Sequence, residues 1–297
     1  MRAEEKRAGD DSIDMVQAGN RQWWTKRTMS YDWTSNIETR KFSRDWYDEI
    51  DQRFVFGARL FAHETVPFDK IIPFRQLEGK SVLEIGCGMG LHTELMTRAG
   101  AAVTAIDISV TSVDATRRRL ELKGLPANVL EMDACKLSFP DDSFDFVWSW
   151  GVIHHSAQTG RIIKEIHRIL RPGGETRVMA YNLDGTGAYA TIVRDYLFGF
   201  WRGKTLDECL WRRSDGYMAR YYTKDMLSDI FLIFFDDVSV ESLGQDADAV
   251  PLPGPLRRPL LRLWSNRRLR ALANCRGSFL FVTASKKPAP AFFEWQQ

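Results

Sequence analysis

The middle third of the chain alternates short, β-branched apolar runs with segments of helical periodicity. The apolar runs predict five strands, at residues 80–85, 101–107, 128–133, 144–150 and 176–181. Ser109 is suited to cap a helix that Gly124 would end, and isoleucines recur at helical spacing from Ile162 to Ile169. Alternation of strands and helices is typical of a parallel sheet joined by crossover helices.

The two flanks of this segment have other patterns. Residues 1–79 are mostly helical in pattern and rich in tryptophan, which predicts an N-terminal cap or lid. Residues 80–297 are predicted to form the main domain, with insertions at 183–222 and 246–276. A helix over 223–235 and strands near 238–243 and 278–284 would complete the sheet. The predicted fold class is therefore α/β, a doubly wound, mostly parallel, seven-stranded Rossmann-like sheet.

Charge and composition narrow the functional classes. The 297 residues include 41 Lys plus Arg and 39 Asp plus Glu, a net charge of +2 that argues against general nucleic-acid binding. Apolar runs such as Phe231 to Phe235 are far too short to cross a bilayer, so a cytoplasmic location is expected. The four cysteines form no CxxC pair and have no nearby histidine, so we expect reduced thiols and no metal site.

A glycine-rich loop follows the first predicted strand, with the sequence GCGMG over residues 86–90. Glycines at this spacing let the backbone turn sharply from strand to helix and approach a ligand closely. The dinucleotide fingerprint GxGxxG would need its third glycine at position 91, where this chain has Leu91. The ligand therefore need not be a pyrophosphate.

Carboxylates follow the next two strands. Asp107 ends the second strand, where a carboxylate can accept hydrogen bonds from both hydroxyls of a ribose, although it could also only cap the helix ahead of Ser109. Asp133 ends the third strand, where it can meet the exocyclic amine of an adenine. Residues 145–150 end the fourth strand beside the predicted topological switch point, where open α/β sheets bind ligands.

Taken together, these motifs resemble a known enzyme family. The segments VLEIGCGMG, AIDIS, EMDA, DDSFDFVWSWGVIHH and RILRPGG, within residues 80–182, resemble the successive motifs of class I S-adenosylmethionine-dependent methyltransferases. The branch that matches best is the bacterial type that methylates small molecules. The resemblance implies the cofactor S-adenosylmethionine and an acceptor attacking its sulfonium methyl in line, so that the protein mainly aligns the reactants and excludes water.

The resemblance also implies roles for individual residues. The methionine part of the cofactor would be surrounded by Glu84, Gly86, Gly88 and Gly90. The ribose and adenine would be held by Asp107, Ile108, Asp133 and the backbone N–H of Ala134. Main-chain atoms at Ser149 and Trp150 would lie near the methionine ammonium.

Two candidate catalytic residues come from the same resemblance. His155, after the fourth strand, would serve as a base or would orient the acceptor, unless it only packs under the adjoining loop. Tyr31, in a YDW sequence similar to an N-terminal lid, would close over the cofactor, or have a simple packing role. We interpret Arg117, Arg118 and Arg119 as a solvated helix face, and both His63 and His92 as structural or exposed residues.

The acceptor pocket is expected outside the conserved sheet, walled by the N-terminal cap and the 183–222 insertion. Six tryptophans there would suit an apolar or ring-shaped acceptor, or would attach the cap to the core: Trp23, Trp24, Trp33, Trp46, Trp201 and Trp211. Residues 250–276 carry seven arginines and no acidic residue. Part of this segment predicts a basic amphipathic helix, and residues 255–272 would make peripheral contact with a membrane or a lipid-linked acceptor. The alternatives are a solvated helix and a helix buried at a subunit interface.

The sequence leaves other functions open. A cofactor-binding protein of the same fold without turnover is one alternative, and a nicotinamide-dependent oxidoreductase, disfavoured by Leu91, is another. Methylation of nucleic-acid bases is disfavoured, because the fourth strand reads DFVWSW and lacks the Asn/Asp-Pro-Pro-aromatic motif. The sequence favours neither O-, N- nor C-methylation and indicates no oligomeric state.

Overall fold

A twisted sheet with helices on both faces forms the centre of the computed structural model, which describes residues 13–30, 37–63, 66–197 and 205–288. Within these ranges the strands are β1 Ser81–Ile85, β2 Ala102–Asp107, β3 Asn128–Glu131, β4 Phe144–Trp150, β5 Leu170–Asn182, β6 Tyr221–Tyr222, β7 Asp237–Leu243 and β8 Phe279–Ser285. The sheet order is β3-β2-β1-β4-β5-β8-β7, with β6 paired to β5. All pairings are parallel except those of β8 with β5 and β7.

Helices cover the sheet and extend from it. Their bounds are α1 Ile13–Lys26, α2 Arg44–Gly57, α3 Leu91–Arg98, α4 Val110–Lys123, α5 Thr159–Ile169, α6 Thr186–Thr191, α7 Leu206–Trp211, α8 Lys224–Leu232, α9 Asp246–Ala249, α10 Gly254–Leu261 and α11 Asn266–Cys275. No helix within the described ranges is long and apolar enough to cross a bilayer. The predicted fold class is confirmed, and the two-residue strand β6 is the one addition to the seven predicted strands.

Local signals in the sequence explain the boundaries of α4. The side chain of Ser109 accepts a hydrogen bond from the backbone N–H of Ser112, which caps the N-terminus. Gly124 ends the helix in the left-handed conformation, at φ 65°. Both predictions made for this helix are confirmed.

The strands bury side chains on both faces, as expected of a doubly wound sheet. On one face, Val147 of β4 packs with the isoleucines of α5 and with Phe231 of α8. On the other face, Phe146 and Trp148 pack with residues that precede β1, including Phe61 and Phe68. The sheet is therefore fixed from both sides, and its carboxyl edge is left for a ligand site.

The basic segment 250–276 contains two helices, α10 and α11, with Pro259 inside α10 and a break at 262–265. Two local predictions were wrong. The third strand ends at Glu131, so Asp133 lies two residues beyond it in the following turn. Arg119 is not part of a solvated face, because its side chain is only 1% exposed. Its neighbours Arg117 and Arg118 are exposed, as predicted.

Candidate active site

A cavity of about 650 Å³ lies along the carboxyl ends of β1, β2 and β4. Its floor is the loop 86–90, and one end is lined by Asp107, Asp133 and Ala134. The other end is lined by Trp150, Tyr181 and Phe279. Helices α1 and α2 cover the cavity from above, and Asp215, near the end of the predicted 183–222 insertion, also contributes to the wall. The size is typical of small-molecule sites.

The glycine loop adopts backbone conformations that require glycine. Gly86, Gly88 and Gly90 have φ values of 82°, 53° and 81°. A Cβ atom on Gly86 would lie 2.1 Å from Cγ2 of Val152, which follows β4. At Gly88 a Cβ would meet nothing within 4 Å, so the space above this residue is open. The loop thus lies tightly against β4 at its start and is open toward the cavity in its middle.

Asp107 is held by two backbone groups at the end of β2. Its Oδ2 accepts from the N–H of Gly88 at 3.1 Å, and its Oδ1 accepts from the N–H of Ser109 at 2.9 Å. Burial raises the pKa of this carboxyl to about 6, against the opposing effect of the two N–H groups. Asp107 therefore caps the start of α4 and also lines the cavity, so the two interpretations from sequence are compatible.

Asp133 lies at the same end of the cavity and is bonded to helix α1. Its Oδ1 accepts from the backbone N–H of Cys135 at 2.8 Å. The side-chain amide of Gln17 lies 3.0 Å and 2.9 Å from the two carboxylate oxygens. Ile108 and Ala134 line the cavity nearby. The N-terminal segment thus contacts one of the residues assigned from the sequence to the adenine.

Glu84 and Ser149 lie behind the cavity surface, in contrast to the other predicted cofactor residues. The Glu84 carboxyl is wholly buried, accepts from the Thr93 hydroxyl and lies 3.8 Å from Nδ1 of His92. Burial raises the pKa of Glu84 to about 8 and lowers that of His92 to about 3. Ser149 is buried within β4, whereas Trp150, the next residue, lines the cavity.

His155 lies in a single 3₁₀ turn after β4 and lines the cavity. Its Nδ1 is 2.6 Å from the carbonyl oxygen of Met218, and a carbonyl can only accept a hydrogen bond. The proton of the neutral ring is therefore on Nδ1, and Nε2 carries the lone pair that can take up a proton. The ring lies 5.0 Å from Trp24 and 5.6 Å from Tyr181, measured between ring centroids.

His154, by contrast, belongs to the core. It is wholly buried, and its ring lies 3.9 Å from that of Tyr181. Burial lowers its pKa well below the ordinary value, so the ring stays neutral. Of the two adjacent histidines, only His155 lines the cavity.

A continuous aromatic wall extends from His155 to Trp150. Tyr181 and Phe279 are paired across β5 and β8, with ring centroids 6.3 Å apart, and Phe279 lies 6.0 Å from Trp150. These rings come from three strands that meet at one edge of the sheet. The arrangement forms an apolar surface suited to a flat or apolar molecule.

Of the four tryptophans proposed for the acceptor that the structure describes, three lie outside the cavity wall. Trp24 lines the cavity. Trp46 and Trp211 are buried in packing contacts, and Trp23 packs against the guanidinium of Arg27 at 4.2 Å. Trp33, Trp201 and the candidate lid residue Tyr31 lie outside the described residues. Among the described residues, the aromatic wall of the cavity is thus built mainly from the sheet.

Three residues that the sequence analysis missed are important here: Gln17, Asn20 and Arg119. The first two line the cavity from α1, where the i, i+3 spacing of two amides was the available signal. The Arg119 guanidinium binds Asp51 of α2 and Glu94 of α3, and donates to the carbonyl oxygen of Met89 in the glycine loop. It therefore joins α2, α3 and the loop beneath the cavity.

Comparison with known proteins identifies relatives of part of this chain. Residues 83–178 match a family model described as a methyltransferase domain. The ubiquinone biosynthesis O-methyltransferase of Methylocella silvestris is 33% identical over 159 residues, which cover 52% of this chain and 60% of that protein. The 2-methyl-6-phytyl-1,4-hydroquinone methyltransferase of a Synechocystis species is 30% identical over 180 residues, which cover 59% and 53%. The chain thus spans only slightly more than half the length of these relatives.

Two solved structures share the fold. One belongs to the Haloferax volcanii complex of the Trm112 methyltransferase activator with a methyltransferase, at 17% identity and a TM-score of 0.55, covering 91% of this chain and 99% of that chain. The other is a Haemonchus contortus phosphoethanolamine N-methyltransferase in complex with phosphomonomethylethanolamine and S-adenosylhomocysteine. It is 18% identical, with a TM-score of 0.54, and the match covers 85% of this chain and 61% of that one. The likeness confirms the Rossmann-like methyltransferase fold.

Proposed function

We propose that this protein, whose residues 83–178 match a methyltransferase domain, transfers a methyl group from S-adenosylmethionine to a small apolar molecule. The observation that carries this proposal is the two-ended cavity. One end has the glycine loop and two carboxylates at successive strand ends, and the other has His155 and the aromatic wall. Methyl transfer requires the cofactor and the acceptor to lie end to end, and a cavity with one polar and one aromatic end would hold them in this arrangement.

The residues present fit S-adenosylmethionine. The open space above Gly88 and the buried Asp107 suit a ribose held against the loop, because the Asp107 carboxylate has acceptor positions beyond the two taken by backbone N–H groups. Ile108, Asp133 and Ala134 would hold the adenine, and Gly86, Gly90 and the main chain of Trp150 the methionine part. Glu84 and Ser149 would support this site from behind. Residues 1–79 would act as its cap, since α1 and α2 cover the cavity.

The chain's own residues account for the remaining requirements of the reaction. Bound S-adenosylmethionine supplies an electrophilic methyl group on a sulfonium leaving group. His155 Nε2 accepts a proton from the attacking atom of the acceptor, while the Met218 carbonyl holds the ring in the required tautomer. Trp150, Tyr181 and Phe279 bind the apolar part of the acceptor and keep water out. The predicted lid residue Tyr31 belongs to this proposal as a closing residue.

The relatives suggest the kind of acceptor. One relative is named as an O-methyltransferase of ubiquinone biosynthesis, and another as a methyltransferase of a phytyl-hydroquinone. An aromatic wall of this kind would accept a ring with an apolar body, so we propose an acceptor of that class.

A second proposal concerns the way such an acceptor reaches the cavity. We define the basic C-terminal surface as α10, α11 and the link between them. It exposes arginines together with Leu256, Leu263, Trp264 and Leu272, which are 62%, 72%, 40% and 44% exposed. We propose that this surface contacts an anionic membrane from the cytoplasmic side.

The position of this surface supports the proposal. Arg59, just after α2, is bonded to Asp246 of α9 and to Asn266 of α11. Gln245, which precedes α9, lines the cavity close to Gly57. The basic C-terminal surface therefore adjoins the side of the cavity that Gly57 and Gln245 line.

Calorimetry tests the cofactor assignment directly. Wild-type protein should bind S-adenosylhomocysteine, and Asp107→Asn should weaken binding at least about tenfold, because a charged acceptor is lost. Selective binding of NADH would overturn the assignment in favour of an oxidoreductase.

Methyl transfer is tested with S-adenosylmethionine labelled in its methyl group. Incubation with aqueous and lipid extracts, followed by mass spectrometry, should yield a labelled product only with active protein. Binding of the cofactor without product from any extract would show that the non-catalytic alternative is correct.

A further inference from the structure

We propose that Asn20 of α1 recognises the exocyclic amine of the cofactor's adenine, together with Asp133, so that the N-terminal helix selects the base. This inference rests on the proposed function and adds a specificity residue to it. Asn20 is only 3% exposed and lines the cavity. Neither the sheet motifs nor the matched methyltransferase region, residues 83–178, includes it.

The first observation is an unpaired acceptor. Oδ1 of Asn20 is buried and has no hydrogen-bond partner among the residues that the structure describes. A buried polar atom without a partner destabilises the folded protein, and such atoms are rare in native structures. A ligand that donates a hydrogen bond at this position would remove the penalty.

The second observation is the polarity of the face that α1 turns to the cavity. Gln17, Asn20 and Trp24, at spacings of three and four residues, all line it. A helix that only covered a sheet would present apolar side chains here. Two amides on the buried face are instead suited to reading a polar edge of a ligand.

The third observation connects Asn20 to the proposed adenine end rather than to the ribose. The Nδ2 of Asn20 lies 3.4 Å from Oε1 of Gln17, and the amide of Gln17 bridges the two oxygens of Asp133. An exocyclic amine has two protons. Asp133 retains an acceptor position for one of them, and Oδ1 of Asn20 can accept the other.

Helix α1 is fixed in this place by its own contacts. The hydroxyls of Ser109 and Thr111 donate to the carbonyl oxygens of Trp24 and Thr25, at 3.2 Å and 2.9 Å. Arg21 forms an ion pair with Glu131 at the end of β3. A Cβ on Gly19 would lie 2.6 Å from the ring of Tyr217, so the helix packs closely against the 183–222 insertion. The amides are thus held over the carboxyl ends of β2 and β3.

The test compares S-adenosylhomocysteine with S-inosylhomocysteine, in which a carbonyl oxygen replaces the amine. By calorimetry, wild-type protein should prefer the adenosyl compound, because the inosyl oxygen would face two acceptors. Asn20→Leu, nearly isosteric, should bind the adenosyl compound about tenfold more weakly and should lose about tenfold of this preference. The exposed Gln22→Leu on the same helix is the matched control and should change neither quantity.

A second measurement separates recognition from a structural role. In the absence of ligand, Asn20→Leu should raise the melting temperature, because it removes an unpaired buried oxygen; a structural amide would lower it on substitution. Hydrogen exchange on wild-type protein, which needs no variant, should show α1 protected by the adenosyl but not by the inosyl compound.

The binding results distinguish a failure of this inference from a failure of the proposed function. Equal binding of the two compounds by wild-type protein, or an unchanged preference in Asn20→Leu, would overturn the inference while leaving the methyltransferase proposal intact. Failure of wild-type protein to bind either compound would instead overturn the cofactor assignment itself.

Discussion

At the scale of single residues, two neighbouring histidines of the same type differ in burial and in hydrogen bonding. His154 and His155 are adjacent, yet one is enclosed in the core and the other lines the cavity with its tautomer set by the Met218 carbonyl. That carbonyl comes from a loop 63 residues away in the chain. The proposed chemistry of His155 therefore depends on a contact with the 183–222 insertion.

Replacing His155 by Gln should lower kcat about 10²- to 10⁴-fold with an acceptor found by the labelling experiment, because proton transfer to Nε2 is lost. Affinity for S-adenosylhomocysteine, measured by calorimetry, should stay unchanged. His63→Gln, at an exposed position, is the control and should keep full activity. A kcat within threefold of wild type for His155→Gln would show that the ring only packs.

At the scale of elements, a buried arginine couples helix α2 to the glycine loop. Arg119 of α4 pairs with Asp51 of α2 and Glu94 of α3, and its guanidinium lies 5.3 Å from the ring of Tyr47. Burial raises the pKa of Asp51, and the guanidinium opposes this rise. The position of α2 over the cavity is thus tied to the loop beneath it.

Arg119→Met should reduce the free energy of unfolding by about 3–5 kcal/mol, because it removes the buried cation between Asp51 and Glu94 and leaves Glu94 only its pair with the half-exposed Arg98. Urea denaturation checks this value. Arg118→Met, one position earlier and exposed, is the matched control and should stay within about 0.5 kcal/mol of wild type. Equal stabilities for the two variants would contradict the proposed coupling.

At the scale of the whole molecule, the basic C-terminal surface combines exposed arginines with exposed apolar side chains. The net charge of the chain is only +2, but residues 250–276 contain arginines and no acidic residue. Not all of this positive charge faces solvent, because the guanidinium of Arg270 donates hydrogen bonds to the carbonyl oxygens of Leu60 and Ala62. The remaining exposed arginines lie beside exposed leucines, a combination suited to an anionic lipid surface.

The protein should sediment with vesicles containing phosphatidylglycerol and not with vesicles of phosphatidylcholine alone, and added salt should release it. Replacing Arg258, Arg262 and Arg268 together by Gln should weaken binding by roughly 3 kcal/mol, about 1 kcal/mol for each charge near the surface. A charge-matched control replaces Arg98, Arg118 and Arg171 by Gln. Equal loss in both triple variants would exclude a specific lipid-binding face.

The sequence by itself determined the local parts of this protein. Strand β4, the caps of α4 and the glycine loop follow from neighbouring residues, because backbone preference and side-chain periodicity act over a few positions. The order of motifs along the chain was also enough to indicate the methyltransferase domain. These features required no knowledge of which distant segments meet.

Only the tertiary structure decided which side chains line the cavity. In the run Arg117, Arg118 and Arg119, the sequence offers three similar residues, and the orientation of α4 against α2 and α3 buries just one. Gln17 and Asp133 are 116 positions apart, so no local pattern could join them. Contacts of this kind depend on the packing of whole elements, and they set the burial and polarity of the site on which the proposed function depends.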